Sequence, residues 1–350
     1  MIRVVVVDDS AFMRKAIGTM LENDAEIEVV GTAKNGQEGL DLVRRLDPDV
    51  VTLDIEMPVM DGLTALKHIM MEMPRPVIMI SSLTVEGAEA TLKALDAGAV
   101  DFIPKKLSRV SLEIVKIEQD LQAKVKAVAK RPGGFRRTRP RPMLPGLPTS
   151  MIPAVSRRAG MRSVIAIGVS TGGPPAVQSI LSRLPGDFPA TILIAQHMPQ
   201  AFTGPFAKRL NSLSALDVSE ALDGAPVAPG RVYVAPGGSH LRVRREGMRL
   251  VVEVGVEPHD SLYKPSANEL LASVADVCGG RAVGMLLTGM GSDGLEGARK
   301  LKASGGRILA QSDATCVVYG MPKAVVDAGL ADEIIDLPDI PAALVGALVR

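Results

Sequence analysis

Tryptophan is absent from this 350-residue chain, aromatic residues make up 3% of it, and cysteine occurs only at Cys278 and Cys316. Neither cysteine belongs to a CxxC pair or to a Cys/His cluster of metal-ligand spacing, which argues against a disulfide framework or a zinc site and predicts two buried thiols. No apolar run approaches the roughly 18 residues a bilayer-spanning helix needs. The valine run after Met1-Ile2-Arg3 is too short for a signal-peptide core and ends in Asp8 and Asp9. A cytoplasmic, reducing location with no membrane span is the expectation. The formal net charge is +1, so no global field points to nucleic acid or an anionic membrane. What remains is an ordinary globular composition, 47% hydrophobic and 23% charged, long enough for two domains with separate cores.

Acid is also missing locally, for no Asp or Glu occurs between Leu121 and Gly186. In that stretch Lys130, Arg131, Arg136, Arg137, Arg139 and Arg141 alternate with Pro132, Pro140, Pro142, Pro145 and Pro148. Proline stiffens such a segment and repeated cations keep it solvated, so residues 123–162 read as a linker. A basic arm docking on an acidic partner or on the first domain is the alternative. Nucleic-acid binding is disfavoured because Phe135 is its one aromatic.

Residues 1–122 carry short β-branched runs at Val4–Val7, Ile27–Val30, Val50–Leu53, Val77–Ile80 and Val100–Ile103, with helical patterns between them and a last helix from Leu107 to about Val128. Five such runs imply βαβ crossovers and a parallel sheet covered on both faces, with ligands at the carboxyl ends of the strands. Asp8, Asp9 and Asp54 fall at those ends, and three carboxylates at one edge repel unless a hard cation joins them; Mg²⁺ suits an all-oxygen set. Ser81 and Lys105 follow the fourth and fifth strands and are able to hold phosphoryl oxygens, with Asp54 as the nucleophile.

Taken with Met57-Pro58, Asp61-Gly62 and Ser82, this constellation resembles the receiver domain of bacterial response regulators. The resemblance implies a flavodoxin-like fold, phosphorylation on Asp54, and Mg²⁺ held by Asp8, Asp9, Asp54 and the backbone carbonyl of Glu56. It also places Phe102 at the aromatic switch position, where a plain buried core ring is the other reading.

From Ser163 a second α/β pattern begins, with strands expected at Val164–Ile167, Thr191–Ala195, Arg231–Ala235, Ala282–Leu287 and Arg307–Ala310. Leu241–Val256, with Gly247 between two alternating runs, reads as an inserted β-hairpin. The first strand runs into Gly168-Val169-Ser170-Thr171-Gly172-Gly173-Pro174, a turn that presents Ser170 beside a helix N-terminus. That turn suits a nucleophile, a phosphate cradle or a merely structural corner, although it lacks the P-loop lysine and the dinucleotide glycine spacing. A serine nucleophile needs a histidine base oriented by a carboxylate. Of the four histidines, His68, His197, His240 and His259, His197 stands at the end of the next strand, and Asp293 lies in a glycine-rich loop after another strand whose free N–H groups suit an oxyanion hole.

Ser170-Thr171-Gly172-Gly173, Gln196-His197-Met198-Pro199, Ala235-Pro236-Gly237-Gly238 with His240, Gly289-Met290-Gly291 with Asp293-Gly294, and Tyr319-Gly320-Met321-Pro322 together resemble the chemotaxis protein-glutamate methylesterases of the CheB type. The resemblance covers roughly residues 163–336. It implies a C-terminal doubly wound α/β serine esterase domain, residues 163–350, with Ser170, His197 and Asp293 as the triad, the Met290 N–H in the oxyanion hole and Thr171 beside the histidine. The order Ser, His, Asp separates it from α/β-hydrolases, whose G-x-S-x-G pattern residues 168–172 also satisfy.

The implied function is phosphorylation-activated hydrolysis of glutamate methyl esters, and deamidation of glutamines, on chemoreceptors. A histidine kinase is the implied phosphodonor, and the esterase chemistry needs no cofactor. Lys264 and Asn268 depart from the Arg and Asp common in the family, which puts substrate contacts in question rather than the chemistry. Two rivals remain: a DNA-binding output, which would need a helix-turn-helix after the linker, and an interaction module with an idle C-terminal domain.

Overall fold

A computed structural model of the chain describes residues 1–105, 111–129 and 163–349. Residues 130–162 of the expected linker and the expected helix start at Leu107 lie outside the described residues. The chain divides into two compact units, Met1–Leu147 and Pro148–Arg350. Among the described residues no helix is long and apolar enough to cross a membrane.

In the first unit β1 (Ile2–Val7), β2 (Ile27–Ala33), β3 (Val50–Asp54), β4 (Val77–Ser81) and β5 (Asp101–Pro104) form one parallel sheet in the order β2-β1-β3-β4-β5. The helices are α1 (Ala11–Glu22), α2 (Gly36–Leu46), α3 (Gly62–Glu72), α4 (Val85–Asp96) and α5 (Ser111–Ala129). Val4, Val5 and Val6 are fully buried, so the unbroken valine run follows from helices covering both faces of the sheet. Ser10, Asn35, Asp61 and Thr84 each accept an N–H bond as N-caps of α1 to α4, which is why the helices start where short polar residues follow the strands. Residues 123–129, assigned above to the linker, continue α5. Leu121, Val125 and Val128 recur at helical spacing and are all buried, so the packed face, and with it the helix, extends beyond residue 122.

The second unit has a seven-stranded parallel sheet in the order β14-β13-β12-β6-β7-β9-β8 and a separate antiparallel hairpin, β10-β11. Its strands are β6 (Val164–Val169), β7 (Thr191–Gln196), β8 (Asp217–Glu220), β9 (Arg231–Val234), β10 (His240–Glu246), β11 (Arg249–Gly255), β12 (Ala282–Leu286), β13 (Arg307–Gln311) and β14 (Glu333–Ile335). Its helices are α6 (Gly173–Leu181), α7 (Gln200–Leu213), α8 (Ala267–Cys278), α9 (Leu295–Ala303), α10 (Met321–Asp327) and α11 (Ile340–Val349). Val164, Ala166, Leu193 and Ala195 point into a core shared with α8, α9, α10 and the hairpin. On the intervening strand positions Ile165, Ile167, Ile192 and Ile194 are equally buried, so this sheet too is covered on both sides. The hairpin lies at the expected place and turns at Gly247, whose φ of +57° favours glycine. Cys278 and Cys316 are both buried and outside any disulfide among the described residues, as expected.

Candidate active and phosphoryl sites

The second sheet reverses its winding direction between β6 and β12, and loops at the carboxyl ends of strands flanking such a point open a crevice. Ser170 leaves β6 there, His197 leaves β7, and residues 287–293 leave β12. The backbones are tied together: Ser170 N donates to Thr288 O at 3.0 Å, and His197 N donates to Val169 O at 3.0 Å. Gly172 has φ +74°, and Gly289 sits so close that a Cβ there would lie 2.7 Å from the Ser170 Cβ. Glycine at these two positions is therefore a condition for the Ser170 turn to sit against the β12 loop.

His197 Nε2 lies 2.8 Å from Asp293 Oδ2, and both side chains are nearly buried. Asp293 Oδ2 also accepts from Ala267 N at 2.6 Å, while its Oδ1 accepts from Ser266 Oγ at 2.9 Å and Asn268 N at 3.0 Å. The carboxylate thus sits on the N-terminus of α8, where free N–H groups favour negative charge. Burial alone would raise its pKa; the bond and charge of His197, with the Ala267 and Asn268 N–H groups, outweigh it and hold the carboxyl below its usual range. With Nε2–H given to Asp293, Nδ1 is the imidazole's lone-pair nitrogen, and it is buried without a hydrogen-bond partner.

Thr171 is buried, and its carbonyl accepts the Thr288 hydroxyl at 2.8 Å. Thr288 Oγ1 also accepts from Val317 N and Val318 N at 3.1 and 3.0 Å, pinning a second loop to the site. No hydrogen bond engages the Met290 N–H among the described residues.

Tyr263 was not singled out from the sequence, and the supporting roles of Gln196 and Asn268 were not read from it. Tyr263 stacks on His197, centroids 4.1 Å apart and planes 5° from parallel. Gln196 Nε2 donates to Ser170 O at 3.0 Å and His197 O at 3.3 Å, bridging the two residues. Asn268 Oδ1 accepts from Gly294 N at 3.0 Å and Gly297 N at 2.9 Å, so this departure from the family pattern caps α9 beside Asp293. The one available signal was the pattern of polar residues following strands and preceding helices; nothing local marks the Tyr263 stack. His240 is fully buried, its Nε2 3.4 Å from Pro258 O.

In the first unit Asp8, Asp9 and Asp54 bring carboxylate oxygens within 4.8 Å of one another. Lys105 Nζ lies 2.7 Å from Asp54 Oδ2 and 3.1 Å from Asp8 Oδ2. Burial, reinforced by the Asp8 charge and opposed by Lys105, pushes the Asp54 carboxyl up to about 6. Such an all-oxygen, mutually repelling set fits a hard divalent cation. Gly62 allows α3 to start against Asp54, for a Cβ there would lie 1.9 Å from the Asp54 carbonyl oxygen.

Ser81 ends β4, the strand paired with β3; it is fully buried, and its Oγ accepts from Thr91 Oγ1 at 2.6 Å and donates towards Gly87 O at 3.2 Å. Phe102 is a buried ring with Lys124 Nζ 5.7 Å from its centroid. Glu56 lies exposed in the turn after β3.

Residues 165–344 match the CheB methylesterase family, and residues 4–115 match the response regulator receiver domain. A protein-glutamate methylesterase/protein-glutamine glutaminase of Oleidesulfovibrio alaskensis is 62% identical, with all of both chains covered. One of Nitratidesulfovibrio vulgaris is 61% identical, again over both complete chains. The crystal structure of the Thermotoga maritima CheB methylesterase catalytic domain is similar to 53% of this chain and 97% of its own, at 40% identity and a TM-score of 0.52. This chain belongs to the protein-glutamate methylesterase/protein-glutamine glutaminase family, with a response regulator receiver domain ahead of a CheB methylesterase domain.

Proposed function

We propose that the protein hydrolyses methyl esters of glutamate side chains on chemoreceptors, and deamidates glutamines there, under control of phosphorylation on Asp54. The observation that carries the reading is the His197–Asp293 pair at 2.8 Å, with a buried, unengaged Nδ1, at the strand ends that also present Ser170.

Ser170 Oγ attacks the ester carbonyl carbon while His197 Nδ1 takes its proton. The resulting oxyanion is met by the Met290 N–H, and Asp293 stabilises the imidazolium through Nε2. Collapse breaks the carbon–methoxy bond, and the imidazolium delivers its proton to the leaving methanol. Water then attacks the glutamyl-Ser170 ester, giving its proton to His197, and the serine departs with that proton. With glutamine the same steps release ammonia. This chemistry needs no metal at Ser170.

In the receiver, Asp8, Asp9, Asp54 and the Glu56 carbonyl would hold Mg²⁺, whose charge would offset that of the transferred phosphoryl group. Asp54 accepts that group from a histidine kinase or a small phosphodonor, with Lys105 pairing with a phosphoryl oxygen. Ser81 would have to leave Thr91 to join it.

Methanol release from methylated receptor membranes is the test. Release should rise with a small phosphodonor and Mg²⁺ and vanish in Ser170→Ala. Undiminished release by that variant would remove Ser170 from the mechanism.

A further inference from the structure

We infer that Tyr263 is a positioning residue for His197, holding the imidazole plane and favouring its charged form through the parallel stack of the two rings. The inference rests on the proposed role of His197 as the base. The imidazole is fixed along one edge by Asp293 at Nε2, but a single bond at 2.8 Å still permits rotation about the line joining the two groups. A ring lying 4.1 Å away and 5° from parallel blocks that rotation on one face. Nδ1, the atom that must meet the serine proton, then keeps one direction. The stacked π-face also carries negative quadrupole density, which attracts the imidazolium formed when the proton arrives.

The chain that follows Tyr263 is anchored twice. Lys264 O, one residue on, accepts from Gly238 N at 3.1 Å, and Ser266 Oγ, three residues on, donates to Asp293 Oδ1 at 2.9 Å. A Cβ on Gly291 would lie 3.4 Å from the tyrosine hydroxyl, so the ring reaches from His197 to the loop that carries Met290 and Asp293. One segment, residues 263–268, therefore supports the base twice: Tyr263 on its face, and Ser266, Ala267 and Asn268 on the carboxylate behind its edge. The charged group bonded to the imidazole is Asp293, which Tyr263→Phe and Tyr263→Leu both leave in place.

The experiment follows the rate at which a fluorophosphonate labels Ser170 in the full-length protein across pH, for wild type, Tyr263→Phe and Tyr263→Leu. Labelling needs an activated serine but no receptor, so it is independent of the ester substrate. Tyr263→Phe keeps the stack and should stay within about twofold of wild type. Tyr263→Leu should label about three- to tenfold more slowly, the size of an aromatic pair's contribution. Its acid-side midpoint should fall by about half a pH unit as the imidazolium loses its facing ring.

Wild-type rate and midpoint in Tyr263→Leu would overturn the inference. So would an equal loss in Tyr263→Phe, which would place the effect in the hydroxyl. If Tyr263→Leu does not fold, the His197 ring protons decide: in wild type and Tyr263→Phe they should resonate upfield of those of His68 and His259, and ordinary shifts would refute the stack. Wild-type protein that labels but releases no methanol would sink the ester reading and leave the role of Tyr263 standing.

Discussion

Asp293 is the residue on which the most geometry converges, because each of its oxygens accepts two bonds. In Asp293→Asn the amide nitrogen must replace one oxygen. Placed at Oδ1 it opposes Asn268 N–H and Ser266; placed at Oδ2 it opposes Ala267 N–H and His197. Either way a buried N–H loses its acceptor, at about 1–3 kcal/mol. We expect the substitution to lower the stability of the C-terminal unit by that amount at pH 7, read by urea unfolding of a fragment beginning at Ser163. It should also lower kcat by about 10³–10⁴, since the imidazole loses its orienting anion.

The stability difference depends on pH with a definite sign. The folded carboxyl is held below its unfolded value of about 3.9. Its contribution is therefore complete above that value and is lost as pH falls through the folded one. The gap between wild type and Asp293→Asn should narrow below about pH 4.

At the scale of elements, the site is assembled by helix N-termini joined to strand ends. Ser266 caps α8 and holds Asp293, and Asn268 in the first turn of α8 caps α9. The helix pair and the β12 loop thus form one unit, in which an amide or a carboxylate oxygen at position 268 serves equally as acceptor. Asn268→Ala should cost about 1–2 kcal/mol, the usual price of a lost cap, whereas Asn268→Asp should retain both stability and activity. Thermal unfolding of the same fragment, followed by ester hydrolysis, separates the two. The edge strands show a different logic. Among the described residues Asp217–Glu220 pairs only with β9 and Glu333–Ile335 only with β13. With one neighbour and a half-exposed face, neither needs the apolar run by which the central strands announce themselves.

At the scale of the whole molecule, two parallel sheets carry two chemistries by one rule. Both place their reactive groups at the carboxyl ends of strands beside a change of winding direction, β1 and β3 for the carboxylates, β6 and β12 for the serine and its support. Coupling between them is expected to run through Asp54. Asp54→Asn should keep the unstimulated esterase rate and lose its rise with phosphodonor and Mg²⁺; a rise that persists would place control elsewhere.

The sequence by itself determined the two α/β units and the carboxylate cluster, and it singled out Ser170, His197 and Asp293, of which the fold pairs the last two. Strand-end residues and β-branched runs are local signals, so they can be read in order along the chain. Tertiary structure alone decided which imidazole nitrogen faces Asp293, that Tyr263 stacks on the ring, that Asn268 serves a neighbouring helix and that Ser81 faces Thr91. Those facts depend on contacts such as His197 with Asp293, 96 residues apart, whose geometry no local pattern encodes.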